Sequence, residues 1–288
     1  MEQTSVLGHG IVSIKSKKPG RTIGVFCNVH GNEPSGRASL RRVLDNYAIE
    51  SGTLVIIDAN PEAALLDQRY VTADMNRMFT AELLASQNPH HDLARAQYLS
   101  KLLPELGLDC AVDLHSTSSA IKFPFAVGFT GADPVMELCP IARISGWNEI
   151  FMAGTLVEWL CKNGVPSVTV EGGQHRSQSA IDVAEHVLLS VLSHFEFIRL
   201  ENPILTEPQK SFEVIKHVTV GDAVSFKFMK PYASFDELAP KEFIAADETR
   251  EYLAPAEAGY SILMPGDQTA INCGRLPDAY YLIKEIQM

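Results

Sequence analysis

The chain predicts an α/β fold: a mixed, mostly parallel sheet flanked by helices, plus a small C-terminal all-β domain. Short apolar runs with the look of buried strands alternate with segments of helical period, the pattern of strands joined by covering helices. That alternation stops near Asn202-Pro203, beyond which short strand-like runs are separated by Pro, Gly and Asp turns. The length of 288 residues exceeds a typical single domain, and 46% hydrophobic residues can fill a sizeable core. We therefore expect an α/β domain over 1–202 and a β domain over 203–288.

Residues 22–29, TIGVFCNV, read as a buried strand ending just before Gly31. Residues 35–48 place Leu40, Val43, Leu44 and Tyr47 at helical spacing. A second apolar run, TLVIID at 53–58, is followed by a long polar loop over 59–80. The pattern predicts a helix over 91–106, a strand over 109–114, a helix over 154–163 and a strand over 164–171. Residues 179–198 show a clear amphipathic period. In the C-terminal part, 212–220, 223–229, 260–264 and 280–286 read as strands, with no helical period. Residues 121–153 match no element and suit a lid or pocket wall.

Net charge is −11, from 24 basic and 35 acidic residues, and no basic run is longer than Lys17-Lys18. That balance argues against nucleic-acid partners. No stretch of 18 apolar residues predicts a membrane span. The first residues lack a basic region ahead of an apolar core, so no secretory signal is expected. Five scattered cysteines without a CxxC pair argue against disulfides and a cysteine zinc site, and fit a cytoplasmic setting.

Three of the predicted strands lead into a chemically capable residue: GVFCNV into His30, CAVDL into His115, and SVTV into Glu171. In open α/β sheets ligands bind outside the carboxyl ends of the strands. Parallel neighbouring strands would therefore raise these side chains into one crevice. Zinc suits the set, because a catalytic zinc takes three N or O ligands and keeps a position for water. His30 and Glu33, three apart in a turn entering a helix, can face one point, and His115 completes a His₂Glu site. Glu171 remains free to move a proton. Asp113, two before His115, either orients that imidazole or makes a local turn bond. The loop 69–79, RYVTADMNRMF, offers Arg69, Asn76 and Arg77 for carboxylate recognition or oxyanion stabilisation, or is simply a solvated loop.

The stretches VHGNEPSG, ANPEA, RYVTADMNRMF, DLHST and VEGG follow the order and approximate separations of the aspartoacylase and succinylglutamate desuccinylase family. That family is related to the zinc carboxypeptidases. DAYYLIKE also resembles the aspartoacylase C-terminal segment, so the resemblance runs from about residue 20 to the end. It implies a zinc-carboxypeptidase-like α/β domain, a C-terminal β domain and one Zn²⁺ per chain. His30, Glu33 and His115 match the family's zinc ligands, and Glu171 matches its general acid/base. Arg69 matches the arginine that polarises the scissile carbonyl. Asn76 and Arg77 match residues that hold a substrate carboxylate, and Tyr280 matches a tyrosine contributed from the β domain.

The expected activity is hydrolysis of the amide of a small N-acyl amino acid. The chain departs from aspartoacylase at the arginine that grips the aspartate side chain, which is Cys161 here, and at a companion tyrosine, which is Val157. Arg143, Arg176 and His175 are candidate substitutes. Two rival readings share the fold: a zinc carboxypeptidase acting on peptides, and a binding protein without turnover. The acidic two-domain chain leaves room for a homo-oligomer.

Overall fold

The computed structural model describes residues 3–118, 121–147, 153–205, 210–274 and 276–286. The chain opens with a hairpin of β1 (Gln3–Gly8) and β2 (Ile11–Lys15). Then come β3 (Lys18–Cys27), α1 (Ser35–Asn46), β4 (Ser51–Asp58) and the short helices α2 (Pro61–Leu65) and α3 (Ala81–Leu84). Helix α4 (His91–Leu102), β5 (Cys110–Thr117), β6 (Phe125–Gly128), α5 (Asp133–Met136) and β7 (Ala142–Ser145) follow. Helix α6 (Leu156–Lys162), β8 (Ser167–Gln174) and α7 (Gln178–His194) complete the α/β part. The C-terminal part holds β9 (Ser211–Thr219), β10 (Lys227–Phe228), β11 (Asp236–Leu238), β12 (Phe243–Ala246), β13 (Glu251–Leu253), β14 (Tyr260–Leu263), α8 (Gln268–Asn272) and β15 (Asp278–Ile286).

Among the described residues, twelve strands form one sheet in the order β1-β2-β4-β3-β5-β8-β6-β7-β9-β15-β14-β11. Its centre, β4-β3-β5-β8, is parallel, as expected for a strand–helix alternation. Strand β6 then runs antiparallel to β8, and β7 pairs parallel with both β6 and β9. The strands β9, β15, β14 and β11 each run antiparallel to the next, and β10, β12 and β13 form a separate small sheet. The main sheet thus runs through the expected boundary at Asn202-Pro203. Strands β6 and β7 explain the stretch 121–153: it bridges the two halves, although 148–152 lie outside the described residues.

Alternate residues of the central strands serve two cores. Ile23, Val25, Val112, Leu114, Val168 and Val170 face α1 and α7, where Val43, Leu188 and Val191 are fully buried. Each such side chain contributes about 1.5–3 kcal/mol by leaving water. On the opposite face, Phe26 and Ile57 pack with Met75 and with Leu93, Ala96 and Leu99 of α4. Side-chain caps start the later helices: Thr155 accepts from Glu158 N for α6, and Ser177 accepts from Ala180 N for α7.

Some expected boundaries move for identifiable reasons. The helix expected over 91–106 is α4 followed by a 3₁₀ turn, Leu103–Leu106, where Pro104 lacks the N–H an α-helix needs. Strand β8 begins only after Pro166, a residue that cannot donate to a ladder. The run 223–229 forms a strand only over Lys227–Phe228, and α8 is a short helix where the sequence shows no helical period.

Candidate metal centre and active site

Strand β3 stops at Cys27 because Asn28 adopts a left-handed backbone (φ 56°), its side chain donating to Asp58 Oδ1 at 3.1 Å. The chain then turns tightly, Glu33 N donating to His30 O at 3.2 Å, and enters α1. Gly31 lies directly on the α2 backbone: an added Cβ would sit 2.1 Å from the carbonyl carbon of Ala63. This docking fixes the turn that presents His30 and Glu33 on one side.

Strand β5 brings Asp113 and His115 to the same face, and its parallel pairing with β8 sets His115 beside Glu171 in register. Nδ1 of His30 lies 2.9 Å from Glu33 Oε1, and Nδ1 of His115 lies 3.0 Å from Glu33 Oε2. The backbone N–H of Ser116 also donates to Glu33 Oε2, at 2.9 Å. The two imidazoles meet edge to face with centroids 4.8 Å apart. One ligand atom from each of His30, Glu33 and His115 can be chosen so that all lie within 4.8 Å of one another. All three residues are buried.

Both remaining ring nitrogens also meet carboxylates. His30 Nε2 is 3.1 Å from Asp74 Oδ1, and His115 Nε2 is 2.8 Å from Asp113 Oδ2. A carboxylate only accepts, so His115, facing carboxylates at both nitrogens, is stabilised as the imidazolium. Burial works against that charge, but Asp113 and Glu33 hold the His115 pKa well above its ordinary value. Burial likewise pushes Glu33 up, and His30 and His115 more than offset it, leaving Glu33 well below the carboxylate range.

The donor set therefore fits a divalent cation. Glu33 occupies the point where the two Nδ1 atoms converge, and a cation there would take the place of their protons. Asp74 and Asp113 already hold the far side of each ring in the orientation a metal needs.

Glu171 is 7% exposed, and its Oε2 has no hydrogen-bond partner among the described residues. Burial is the largest cause pushing its pKa up to about 7; Glu33 adds to the rise, while His115, His30 and Arg69 oppose it. Arg69 reaches the cluster from the loop before the Met75–Arg77 turn. Its Nε and Nη2 donate to Asp74 Oδ2 at 3.1 and 2.9 Å, and Nη1 lies 3.8 Å from Glu33 Oε1. Asn76 is buried, its Oδ1 accepting from Leu156 N at 2.9 Å. Arg77 Nη1 donates to Asn76 O at 2.9 Å, and Nη2 lies 3.8 Å from Asp278 Oδ2 on β15.

Tyr280, expected to contribute from the β domain, lies in the C-terminal core. It is 1% exposed and sits with Val218, Phe226 and Ile262. The β15–β9 register shifts between Asp278 and Tyr280, so Ala279 and Tyr280 both enter that core while Asp278 and Tyr281 share the other face. His217 joins them, 2.7 Å from Asp278 Oδ1 and stacked on Tyr281 at 4.6 Å. Tyr281 is itself 3% exposed and packs in a second core cluster with Trp147 and Phe212. The bulge decides which core each of the two adjacent tyrosines enters, and nothing in the residue pattern announces it.

Asp74 was also not legible as a site residue. It caps the 3₁₀ turn and holds both His30 and Arg69, and its only sequence signal is an acid between two arginines. Of the substitutes for the missing arginine, Arg143 donates to the carbonyl oxygens of Glu137 and Cys139, and Arg176 pairs with Asp67. His175 lies closer to the cluster, its Nδ1 2.8 Å from Ser116 Oγ. Cys161 Sγ approaches Ser167 O at 3.5 Å, and Val157 is buried among Phe125, Phe129 and Trp147.

The family model of the succinylglutamate desuccinylase/aspartoacylase catalytic domain matches residues 19–195. A probable aspartoacylase of Parasynechococcus marenigrum is 37% identical over 128 residues, covering 42% of this chain and 41% of that protein. An N-acyl-aromatic-L-amino acid amidohydrolase of Xenopus laevis is 34% identical over 222 residues, covering 71% of this chain and 72% of that protein. The fold matches a succinylglutamate desuccinylase from Vibrio parahaemolyticus with a TM-score of 0.77 at 17% identity, covering 99% of this chain and 91% of that one. Murine aminoacylase 3 gives 0.69 at 17% identity, with 94% and 97% covered. The chain belongs to the succinylglutamate desuccinylase/aspartoacylase family.

Proposed function

We propose that the protein is a zinc-dependent amidohydrolase that cleaves the amide bond of a small N-acyl amino acid. His30, Glu33 and His115 would hold one zinc per chain. The observation that carries this reading is the convergence of those three donors, each imidazole backed by a carboxylate, beside a buried Glu171 with a free oxygen. Zinc bound there would lower the pKa of a coordinated water and polarise the acyl carbonyl. The relatives support the reaction class, since their names describe acylase and amidohydrolase activity on N-acyl amino acids.

The protein's own residues supply the rest. Glu171, with a pKa near neutrality, takes a proton from the attacking water and hands it to the departing amine. The Arg69 guanidinium, held by Asp74, stabilises negative charge developing on the acyl oxygen. Asn76 and Arg77 orient the substrate carboxylate from the loop that also carries Arg69. Cys161 and Val157 sit with an apolar, aromatic cluster, so we assign the amine half to an amino acid without a side-chain carboxylate. The scattered cysteines favour a cytoplasmic setting, and no helix among the described residues is long and apolar enough to cross a membrane. We keep 203–288 as a distinct C-terminal β unit attached through β7 and β9.

The test is metal content and hydrolysis of an N-acetyl amino acid panel on one purified sample. About one zinc per chain, with aromatic or aliphatic substrates favoured roughly tenfold or more over N-acetylaspartate, is expected. Glu171→Ala should abolish turnover while zinc stays bound. Near-normal turnover in that variant would remove Glu171 from the mechanism.

A further inference from the structure

The loop between α2 and α3 carries Arg69, Asp74, Asn76 and Arg77, yet its regular structure among the described residues is one 3₁₀ turn. Some other contact must hold it still. Asp92, in the first turn of α4, is 0% exposed. Its Oδ1 accepts from Val71 N at 3.1 Å and from Asn60 Nδ2 at 2.8 Å. Its Oδ2 accepts from Thr72 N at 2.6 Å and Ala73 N at 3.0 Å. Three consecutive backbone N–H groups and one side-chain amide thus saturate a single buried carboxylate. Burial alone would raise the Asp92 pKa, but the bonds from Asn60, Ala73, Thr72 and Val71 outweigh it and hold it below its ordinary value.

The clamped residues lie between Arg69 and Asp74, the two loop residues that touch the metal-ligand cluster. We infer that Asp92 is a positioning residue, setting Arg69 and Asp74 against His30 and Glu33 by fixing the backbone of Val71–Ala73. For catalysis this rests on the hydrolase reading above. Asn76 and Arg77 have separate anchors, through Asn76 Oδ1 to Leu156 N and Phe79 N to Gly154 O. Loosening the clamp should therefore disturb oxyanion stabilisation more than the grip on the substrate carboxylate.

Asp92→Asn is close to isosteric, but its NH₂ group is a donor and meets N–H groups that also donate. Amide hydrogen exchange at residues 71–73 should accelerate by about tenfold or more in this variant, while β3, β5 and β8 amides stay protected. In the zinc-loaded protein, kcat on the best substrate of the wild type should fall about 10²-fold, with KM changed by less than about threefold. Combined with Arg69→Ala in the zinc-loaded protein, the second substitution should add less than its own single loss in kcat, because the part of the clamp's effect carried by the Arg69 guanidinium is already gone. Unchanged exchange at 71–73, or fully additive kcat losses, would overturn the inference. A wild type that cleaves no N-acyl amino acid defeats the hydrolase reading, and the exchange experiment still decides whether the clamp exists. Should Asp92→Asn fail to fold, Asp92→Glu keeps the charge, moves the carboxylate by one methylene and takes the same measurements.

Discussion

Replacing Glu171 by Gln should remove a specific, pH-dependent cost to the metal-free protein. Burial is the chief cause pushing the folded carboxyl up to about 7, from an ordinary glutamate value near 4.5. Below about pH 4.5 both folded and unfolded chains keep the proton, and this group changes nothing. Between the two values the folded state holds a proton that the unfolded chain has released, so stability falls as pH rises. The full difference of two to three pKa units corresponds to roughly 3 kcal/mol above pH 7. Gln carries no titrating proton and occupies nearly the same volume.

Urea unfolding with a chelator present, at pH 5 and pH 8, reads this directly. The variant and the wild type should differ little at pH 5. At pH 8 the variant should be more stable by up to about 3 kcal/mol, while its zinc-loaded turnover falls about 10²–10⁴-fold. Parallel pH profiles for the two proteins would refute the argument that Glu171 is held partly neutral by its surroundings. A gain in stability with loss of turnover would identify a carboxylate kept at a thermodynamic cost for chemistry.

Three further outcomes are expected. Gly31→Ala forces a Cβ into the α2 backbone, so it should cost about 3 kcal/mol or more in thermal unfolding and weaken zinc binding through the displaced His30 turn. Asp113→Asn should lower zinc affinity about 10–100-fold in a chelator competition, because the His115 ring loses its carboxylate acceptor. Tyr280→Ala should cost about 3–5 kcal/mol in thermal unfolding, because it empties a fully buried aromatic site in the C-terminal core.

The strand–helix alternation and the chemistry at the strand ends were legible because both are local. Apolar runs such as TLVIID bury on both faces and need no partner to be recognised, and β4 spans Ser51–Asp58 accordingly. The strands β6 and β7 were not legible. Phe125–Gly128 and Ala142–Ser145 are four residues each, too short for a period, and become strands only by pairing with β8 and β9. Which core Tyr280 and Tyr281 each enter likewise depends on a bulge created by pairing with β9.

By composition and order alone, the chain specifies a strand–helix sheet and a set of residues capable of metal-assisted proton transfer. His30 and Glu33 are three residues apart, so one turn suffices to aim both at a point. Tertiary structure decides everything that depends on distant segments meeting. Register pairs His115 with Glu171, and α4 brings Asp92 beneath Val71–Ala73. The loop brings Asp74 to His30 and Arg69 together. Those contacts join residues 19 or more apart, except within the loop itself, so no local segment can form them alone. Burial then sets the protonation of Glu171 near neutrality, a property that no isolated peptide containing this glutamate would show.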